Sequence, residues 1–293
     1  MKMSRNIHTF IGCDNEYDKS KIVIFSAPFD STTSYRPGAR FAGAAIRNES
    51  YSIETYSPYQ DKDLLDINIF DGGELELPFG DPSPALDMIE KYVADLLKDG
   101  KTSIMIGGEH LVTLGAVRAA AKQYPDLHII QFDAHADLRN DYLGAELSHA
   151  TVMRRCHDIL GDGRLFQLGI RSGEKEEFVW AKEHTCLNKF NFNGLDDIIE
   201  KLKDKNAPVY LTIDLDVLDP SCFPGTGTPE AGGVSFSELL DAVMKILRGL
   251  NVVALDINEL SPVYDQSGVS VSLACKLLRE ILLMIGGMDK CPH

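Results

Sequence analysis

Side chains able to hold cations recur at short, regular spacings in this chain. The run IIQFDAHADLR places Asp133, His135 and Asp137 at alternate positions, and YLTIDLDVLDP gives Asp214 and Asp216 the same relation. An extended backbone has a side-chain period of two, so each set shares one face wherever the chain stays extended. SIMIGGEH puts His110 just past the Gly107–Gly108 pair, and VVALDINELSP offers Asp256 and Glu259. Singly, a D-x-D or D-x-H run caps a helix or closes a turn, and a histidine after two glycines is an ordinary loop residue. Together they imply a metal centre. Asp133, Asp137, Asp214 and Asp216 in one crevice would repel, and burial would raise their pKa values unless cations neutralised them. Two divalent ions would balance those carboxylates, with the neutral imidazoles of His110 and His135 completing the shell. Oxygen and imidazole donors without thiolate suit Mn²⁺ better than structural Zn²⁺. Two-metal sites, with ions about 3.5–4 Å apart, activate a bridging water, so the expected chemistry is hydrolysis.

These residues follow short apolar runs that read as strands: Lys21–Phe29, Leu64–Phe70, Thr102–Gly107, Leu127–Asp133, Leu165–Ile170, Val209–Asp214 and Val252–Ile257. Most are dense in Ile, Val, Leu and Phe without strict alternation, as in strands buried on both faces. Between them, Pro84–Lys98, Leu111–Gln123, Ser237–Leu247 and Val271–Met284 carry apolar residues at helical spacing. Strand–helix alternation predicts an α/β fold with a parallel sheet covered on both faces, and ligands of such sheets bind beyond the carboxyl ends of the strands. No linker or internal repeat interrupts the pattern, so a single domain over residues 1–293 is expected.

Composition narrows the partners. A formal charge of −15 and a pI near 4.9 argue against nucleic acid or an anionic membrane, either of which requires a basic face, and are compatible with a small cationic substrate. The start, Met1 to Ser20, is polar without an apolar core, and no run reaches the roughly 18–20 apolar residues of a membrane helix. Cys13, Cys156, Cys186, Cys222, Cys275 and Cys291 form no C-x-x-C pair, so reduced thiols and a cytoplasmic location are expected.

Six motifs, in order, resemble those of the ureohydrolases, the family that includes arginase and agmatinase. They are RPGAR at Arg36–Arg40, GGEH at Gly107–His110, FDAHADLR at Phe132–Arg139, SHA at Ser148–Ala150, TIDLDVLDPSCFPGTGTPEAGG at Thr212–Gly233 and DINELSP at Asp256–Pro262. The resemblance spans roughly residues 20 to 285. It implies a three-layer α/β/α sandwich around a mainly parallel sheet (arginase-like), in trimers or hexamers. It also implies one Mn²⁺ on His110, Asp133, Asp137 and Asp214, and a second on Asp133, His135, Asp214 and Asp216. Glu259 matches the glutamate that pairs with a substrate guanidinium, His149 a histidine of proton transfer, and Thr228 a threonine near the guanidinium. Asp137 would relay the proton of the attacking water, with His149 assisting. Two positions depart from the pattern: Glu109 stands where aspartate is usual, and Ala150 where glycine is common.

Substrate choice rests on fewer residues. Arginases carry an asparagine where this chain has Arg139, and PGTGTPE resembles the agmatinase branch. The expected reaction is therefore agmatine to urea and putrescine, with Asn140, Asp141, Glu146, Glu174 and Glu177 as candidates to face the amine tail. Arg139 is expected to face solvent or bind Asp141. The alternatives are guanidinobutyrate or arginine as substrate, with Arg139 gripping the carboxylate, or a non-catalytic metal-binding subunit.

Overall fold

A computed structural model of the chain describes residues 8–287. Cys291 and the first residues of the polar Met1–Ser20 stretch lie outside them. The strands are β1 (Ile22–Ser26), β2 (Tyr56–Ser57), β3 (Lys62–Asp63), β4 (Ile69–Glu74), β5 (Thr102–Ile106), β6 (His128–Phe132), β7 (Leu165–Ile170), β8 (Cys186–Lys189), β9 (Pro208–Asp214) and β10 (Asn251–Asn258). The helices are α1 (Ala42–Glu49), α2 (Pro82–Lys98), α3 (Val112–Gln123), α4 (Val152–Leu160), α5 (Lys175–His184), α6 (Leu195–Lys203), α7 (Phe236–Gly249) and α8 (Val269–Gly287). β2 and β3 form a small antiparallel ribbon; the others make an eight-stranded parallel sheet in the order β4-β1-β5-β10-β9-β6-β7-β8.

Two cores, one on each face of that sheet, explain why the strands read as continuous apolar runs. Ile22 and Ile24 of β1 face one core while Val23 and Phe25 face the other, and Leu211 and Tyr210 of β9 divide in the same way. Helices α1, α6, α7 and α8 cover the first face and α2, α3, α4 and α5 the second, which is the expected three-layer sandwich. Among the described residues, no helix is long and apolar enough to cross a membrane.

The strand expected at Leu64–Phe70 is shifted. Leu64–Asp66 is a 3₁₀ turn, because the Asp63 carboxylate accepts the Leu65 N–H and closes it, and β4 begins only at Ile69. Strand β8 was not anticipated, since its CLNK sequence is a partly exposed edge with no apolar run. Helices α1, α4, α5 and α6 were also missed, being only 8, 9, 10 and 9 residues long and mixed in polarity.

One buried ion pair locks α1 to the sheet. Arg47 reaches Asp71 through two bonds, Nε to Oδ2 at 2.9 Å and Nη2 to Oδ1 at 2.8 Å, and also donates to Ser26 and the Gly73 carbonyl. The Phe10 N–H adds a further bond to Asp71. Removing one partner of such a pair leaves a buried charge uncompensated. Arg47→Met is therefore expected to cost about 3–5 kcal/mol of stability, read by urea unfolding; a loss near zero would mean Asp71 is satisfied by backbone alone.

Candidate active site

Strands β5, β10, β9 and β6 lie side by side at the centre of the sheet, and each releases site residues at its carboxyl end. His110 follows β5 just ahead of α3, Glu259 follows β10, Asp214 closes β9 and Asp133 follows β6. The expectation that Asp133, His135 and Asp137 share a strand face is corrected, because β6 ends at Phe132 and the chain then turns. The Asp133 Oδ1 accepts the His135 N–H at 2.6 Å, and Asp137 adopts the left-handed region with φ 53°. Asp214 Oδ1 likewise accepts the Asp216 N–H at 2.9 Å and caps the turn Leu215–Val217. The ordinary turn-closing role of such aspartates is thus present, and it aims their other oxygens into the crevice.

There the side chains gather into two groups. His110 Nδ1 lies 3.0 Å from Asp133 Oδ2, 3.0 Å from Asp137 Oδ2 and 3.4 Å from Asp214 Oδ2. His135 Nδ1 lies 2.9 Å from Asp216 Oδ2 and 3.6 Å from Asp133 Oδ1. Asp133 is common to both groups, one oxygen toward each, while Asp214 stands in the first. The donor set fits divalent cations: carboxylate oxygens converge on imidazole nitrogens, and no cysteine lines the cavity. A third trio, His157, Asp162 and His184, differs. Asp162 Oδ1 is hydrogen-bonded to both imidazoles, and the buried His157 Nδ1 has no partner, so that ring's proton belongs on Nε2, facing Asp162.

What orients His110 is buried beneath it. Its Nε2 is 2.9 Å from Thr212 Oγ1, which leaves the Nδ1 lone pair for the crevice. Asp256 takes bonds from Thr113 at 2.8 Å, Tyr210 at 2.5 Å and Asn258 at 2.7 Å beside that threonine. Asp256, a candidate in the sequence, is therefore part of the support under the site. Tyr210, Thr212 and Asp214 alternate along β9, a period-two signal that could have marked Thr212.

Above the floor is a cavity of about 290 Å³ lined by Asp137, His149, Thr228 and Glu259 together with both site histidines. Glu259 is buried, with φ 63°, and its Oε1 accepts the His110 N–H at 2.7 Å. Thr228 Oγ1 lies 3.3 Å from Asp216 Oδ2. Arg139 lines the cavity, partly exposed, and its partners do not include Asp141. It pairs with Glu174 at 2.9 Å and Glu177 at 3.6 Å, and its guanidinium lies over the Tyr142 ring. Glu174 and Glu177 line the cavity, whereas Asn140, Asp141 and Glu146 do not; Asn140 accepts from Arg155 and Asp141 from the Gly144 N–H. Ser34, Tyr142 and Ser172 also line the cavity, Thr32 holds the His149 N–H, and none was singled out from sequence, although the STTSY run directly precedes RPGAR.

Burial and like charge dominate the electrostatics. Burial, with Asp133 beside it, pushes Asp137 up to about 7, and burial, with Asp216 and Asp133 nearby, lifts Asp214 well above the carboxylate range. Glu259 is raised by burial and by Glu109. Burial opposes charge on His110 and His135, but their aspartate partners outweigh it and raise both. His149 goes the other way: burial, with His135, His110 and Arg139 as cationic neighbours, lowers it to about 4, so its ring is neutral at pH 7. These opposed shifts arise where charge is balanced by protons alone, and divalent cations would satisfy the same donors without burying protonated acids.

A parallel α/β/α sandwich with aspartates and histidines converging at its strand ends defines a class of proteins built around a candidate divalent-metal centre. Residues 20–284 match the arginase family, and the chain belongs to that family. It is 48% identical over 277 residues to a protein of Bacillus subtilis (strain 168) named agmatinase, covering 94% of this chain and 95% of that one. The solved agmatine ureohydrolase of Thermoplasma volcanium superposes with a TM-score of 0.88 at 36% identity, covering 97% of this chain and 96% of that one. Proclavaminate amidino hydrolase from Streptomyces clavuligerus gives a TM-score of 0.85 at 32% identity, covering 96% and 97%.

Groups that hold a ligand's far nitrogen fix its tautomer and orientation, and losing them typically costs about 10–100-fold in metal affinity. Thr212→Val keeps the shape and removes the oxygen beneath His110. Titration of the apoprotein with Mn²⁺ is expected to show a loss of that size; unchanged affinity would remove Thr212 from the support.

Proposed function

We propose that this chain is a binuclear manganese hydrolase cleaving the guanidinium group of agmatine to urea and putrescine. The observation that carries this reading is the cavity: two His–Asp groups sharing Asp133 form its floor, and Glu259 stands beside them. The names of the Bacillus subtilis and Thermoplasma volcanium relatives support the substrate.

His110, Asp133, Asp137 and Asp214 would hold one Mn²⁺, and Asp133, His135, Asp214 and Asp216 the other. When bound, such ions polarise water toward hydroxide at neutral pH and so supply a nucleophile. The chain's own groups bring the substrate to it. With Oε1 of Glu259 already holding the His110 N–H, Oε2 is left to accept from a guanidinium N–H. That bond fixes the planar carbon over the floor, and Thr228 flanks it, so little orientational freedom remains to be lost. Asp137 accepts the proton released by the attacking water. His149, neutral at rest, takes up that proton and passes it to the departing amine nitrogen, which is a poor leaving group until protonated, so the proton leaving the water ends on the amine.

The far end of the cavity favours a cationic tail. Arg139 is already paired with Glu174 and Glu177, so a substrate carboxylate would meet no free cation on it and would lie close to Glu174. An ammonium meets the opposite situation. The reading extends to one domain over residues 1–293, a trimer or hexamer in the cytoplasm.

Glu259→Gln keeps the shape and removes the charge. Its kcat/KM is expected to fall at least about tenfold, equivalent to about 1.4 kcal/mol, with bound Mn²⁺ unchanged. Wild-type kinetics would take Glu259 out of the mechanism.

The full reading is tested by urea release from agmatine, L-arginine and guanidinobutyrate at matched concentrations, with metal analysis on the same protein. Two Mn²⁺ per chain, loss of activity on chelation and at least a hundredfold preference for agmatine over arginine are expected, about 2.7 kcal/mol of discrimination. Equal rates on arginine would overturn the tail argument, a guanidinobutyrate preference would free Arg139 as the selector, and activity with one ion or none would remove the second metal.

A further inference from the structure

Resting on the proton-transfer reading of His149, we propose that Glu109 and Thr32 are its positioning residues: the carboxylate of Glu109 fixes the Thr32 hydroxyl, and that hydroxyl holds the His149 backbone. No sequence motif joins these residues, which lie 77 and 117 positions apart.

Among the described residues no cation pairs with the buried carboxylate of Glu109. Glu109 is completely buried behind the site, and its carboxylate takes its compensation from hydrogen bonds donated by Thr32 and Thr33 of one passing segment. Its Oε1 accepts the Thr32 hydroxyl at 2.5 Å, and its Oε2 accepts the Thr32 N–H at 2.9 Å and the Thr33 hydroxyl at 3.0 Å. The Glu109 N–H donates in turn to the Phe29 carbonyl at 2.8 Å. This close approach requires glycine at the preceding position, since a Cβ on Gly108 would stand 2.0 Å from that same carbonyl oxygen. Gly108 and Glu109 thus form a socket for the segment.

The direction of the threonine hydroxyl follows. Burial raises Glu109 to about 7 against the Thr32 and Thr33 bonds that lower it; as the ionised carboxylate it can only accept, so the Thr32 proton points to Glu109 and the oxygen's lone pairs point elsewhere. One of them accepts the His149 N–H at 3.1 Å. Two residues on, Ser34 Oγ lies 3.2 Å from His149 Nε2, while Ser148 Oγ lies 3.2 Å from Nδ1. The segment held by Glu109 therefore grips the histidine at the backbone and at the ring, facing the cavity that both Ser34 and His149 line. Here the departure from aspartate at position 109 acquires a role: the longer side chain spans to Thr32 and Thr33 together.

The test is a double-mutant cycle on the Mn²⁺-loaded enzyme with agmatine, using Thr32→Val, His149→Asn and the pair. Thr32 is only partly buried and valine is isosteric, and melting temperature and Mn²⁺ content are followed in parallel. Thr32→Val is expected to lower kcat by about tenfold to a hundredfold, a part of the roughly 10²–10⁴-fold that a positioned proton-transfer group contributes, with KM and Mn²⁺ content held. Thr32→Ser restores kcat, and Glu109→Gln, whose amide nitrogen cannot accept, shows the Thr32→Val signature. In the His149→Asn background, Thr32→Val adds no further loss. A full additional loss in that background, or wild-type kcat in Thr32→Val, overturns the proposal. If His149→Asn itself keeps wild-type kcat, the proton-transfer reading falls first and the positioning role falls with it.

Discussion

Mutual repulsion among buried carboxylates is the constraint around which this site is organised. Asp133, Asp137, Asp214, Asp216 and Glu259 meet at the ends of neighbouring strands, all with little or no solvent contact. Like charges that close in a poorly polarisable interior cannot all ionise without compensation. The chain supplies part of that compensation through backbone N–H groups: His135 to Asp133, Asp216 to Asp214 and His110 to Glu259. It supplies more through the two histidines, and the remainder matches what divalent cations provide. The turns after β6 and β9 follow from this, since they present the N–H groups that the carboxylates need.

That arrangement is costly for the backbone at two of the site's own residues. Asp137 and Glu259 both hold φ near +60°, at 53° and 63°, a region side chains other than glycine visit uncommonly. Such conformations persist only where the surroundings over-determine them. For Glu259 the surroundings are bonds between its N–H and the Gly108 carbonyl and between its carboxylate and the His110 N–H. For Asp137 they are the contact with His110 and the Asp137 carbonyl's acceptance of the Met153 and Arg154 N–H groups at the start of α4. The same peptide segments that close the sheet thus set the aim of the side chains.

Around the charged floor the protein tunes neighbours in opposite senses. Asp256 collects hydroxyl and amide donors without entering the cavity, and two of them, Thr113 and Asn258, also reach the Thr212 hydroxyl under His110. His149 is kept neutral by burial and by cationic surroundings. Arg139, given the grip on a carboxylate only in the alternative reading of the sequence, lines the cavity with its guanidinium paired to Glu174 and Glu177. A single chain position can therefore carry opposite implications for substrate choice, depending on which partner its guanidinium finds.

Much of this was legible in the linear chain, and for identifiable reasons. Apolar runs such as Leu127–Asp133 and Val209–Asp214 announce strands buried on both faces, and the D-x-H-x-D and D-x-D runs at their ends announce a charged crevice, because both are read from local pattern. The shifted β4, the edge strand β8 and the short helices α4 to α6 were not legible, since their formation depends on capping and on packing against the sheet more than on their own pattern. The site's finer assignments were decided only by tertiary structure. Whether Arg139 faces a substrate or Glu174, whether Asp256 is a ligand or a support, and that Thr32 reaches both Glu109 and His149 depend on contacts between segments far apart in the chain. Sequence spacing carries no information on such distances; the parallel sheet, by bringing distant strand ends side by side, creates them.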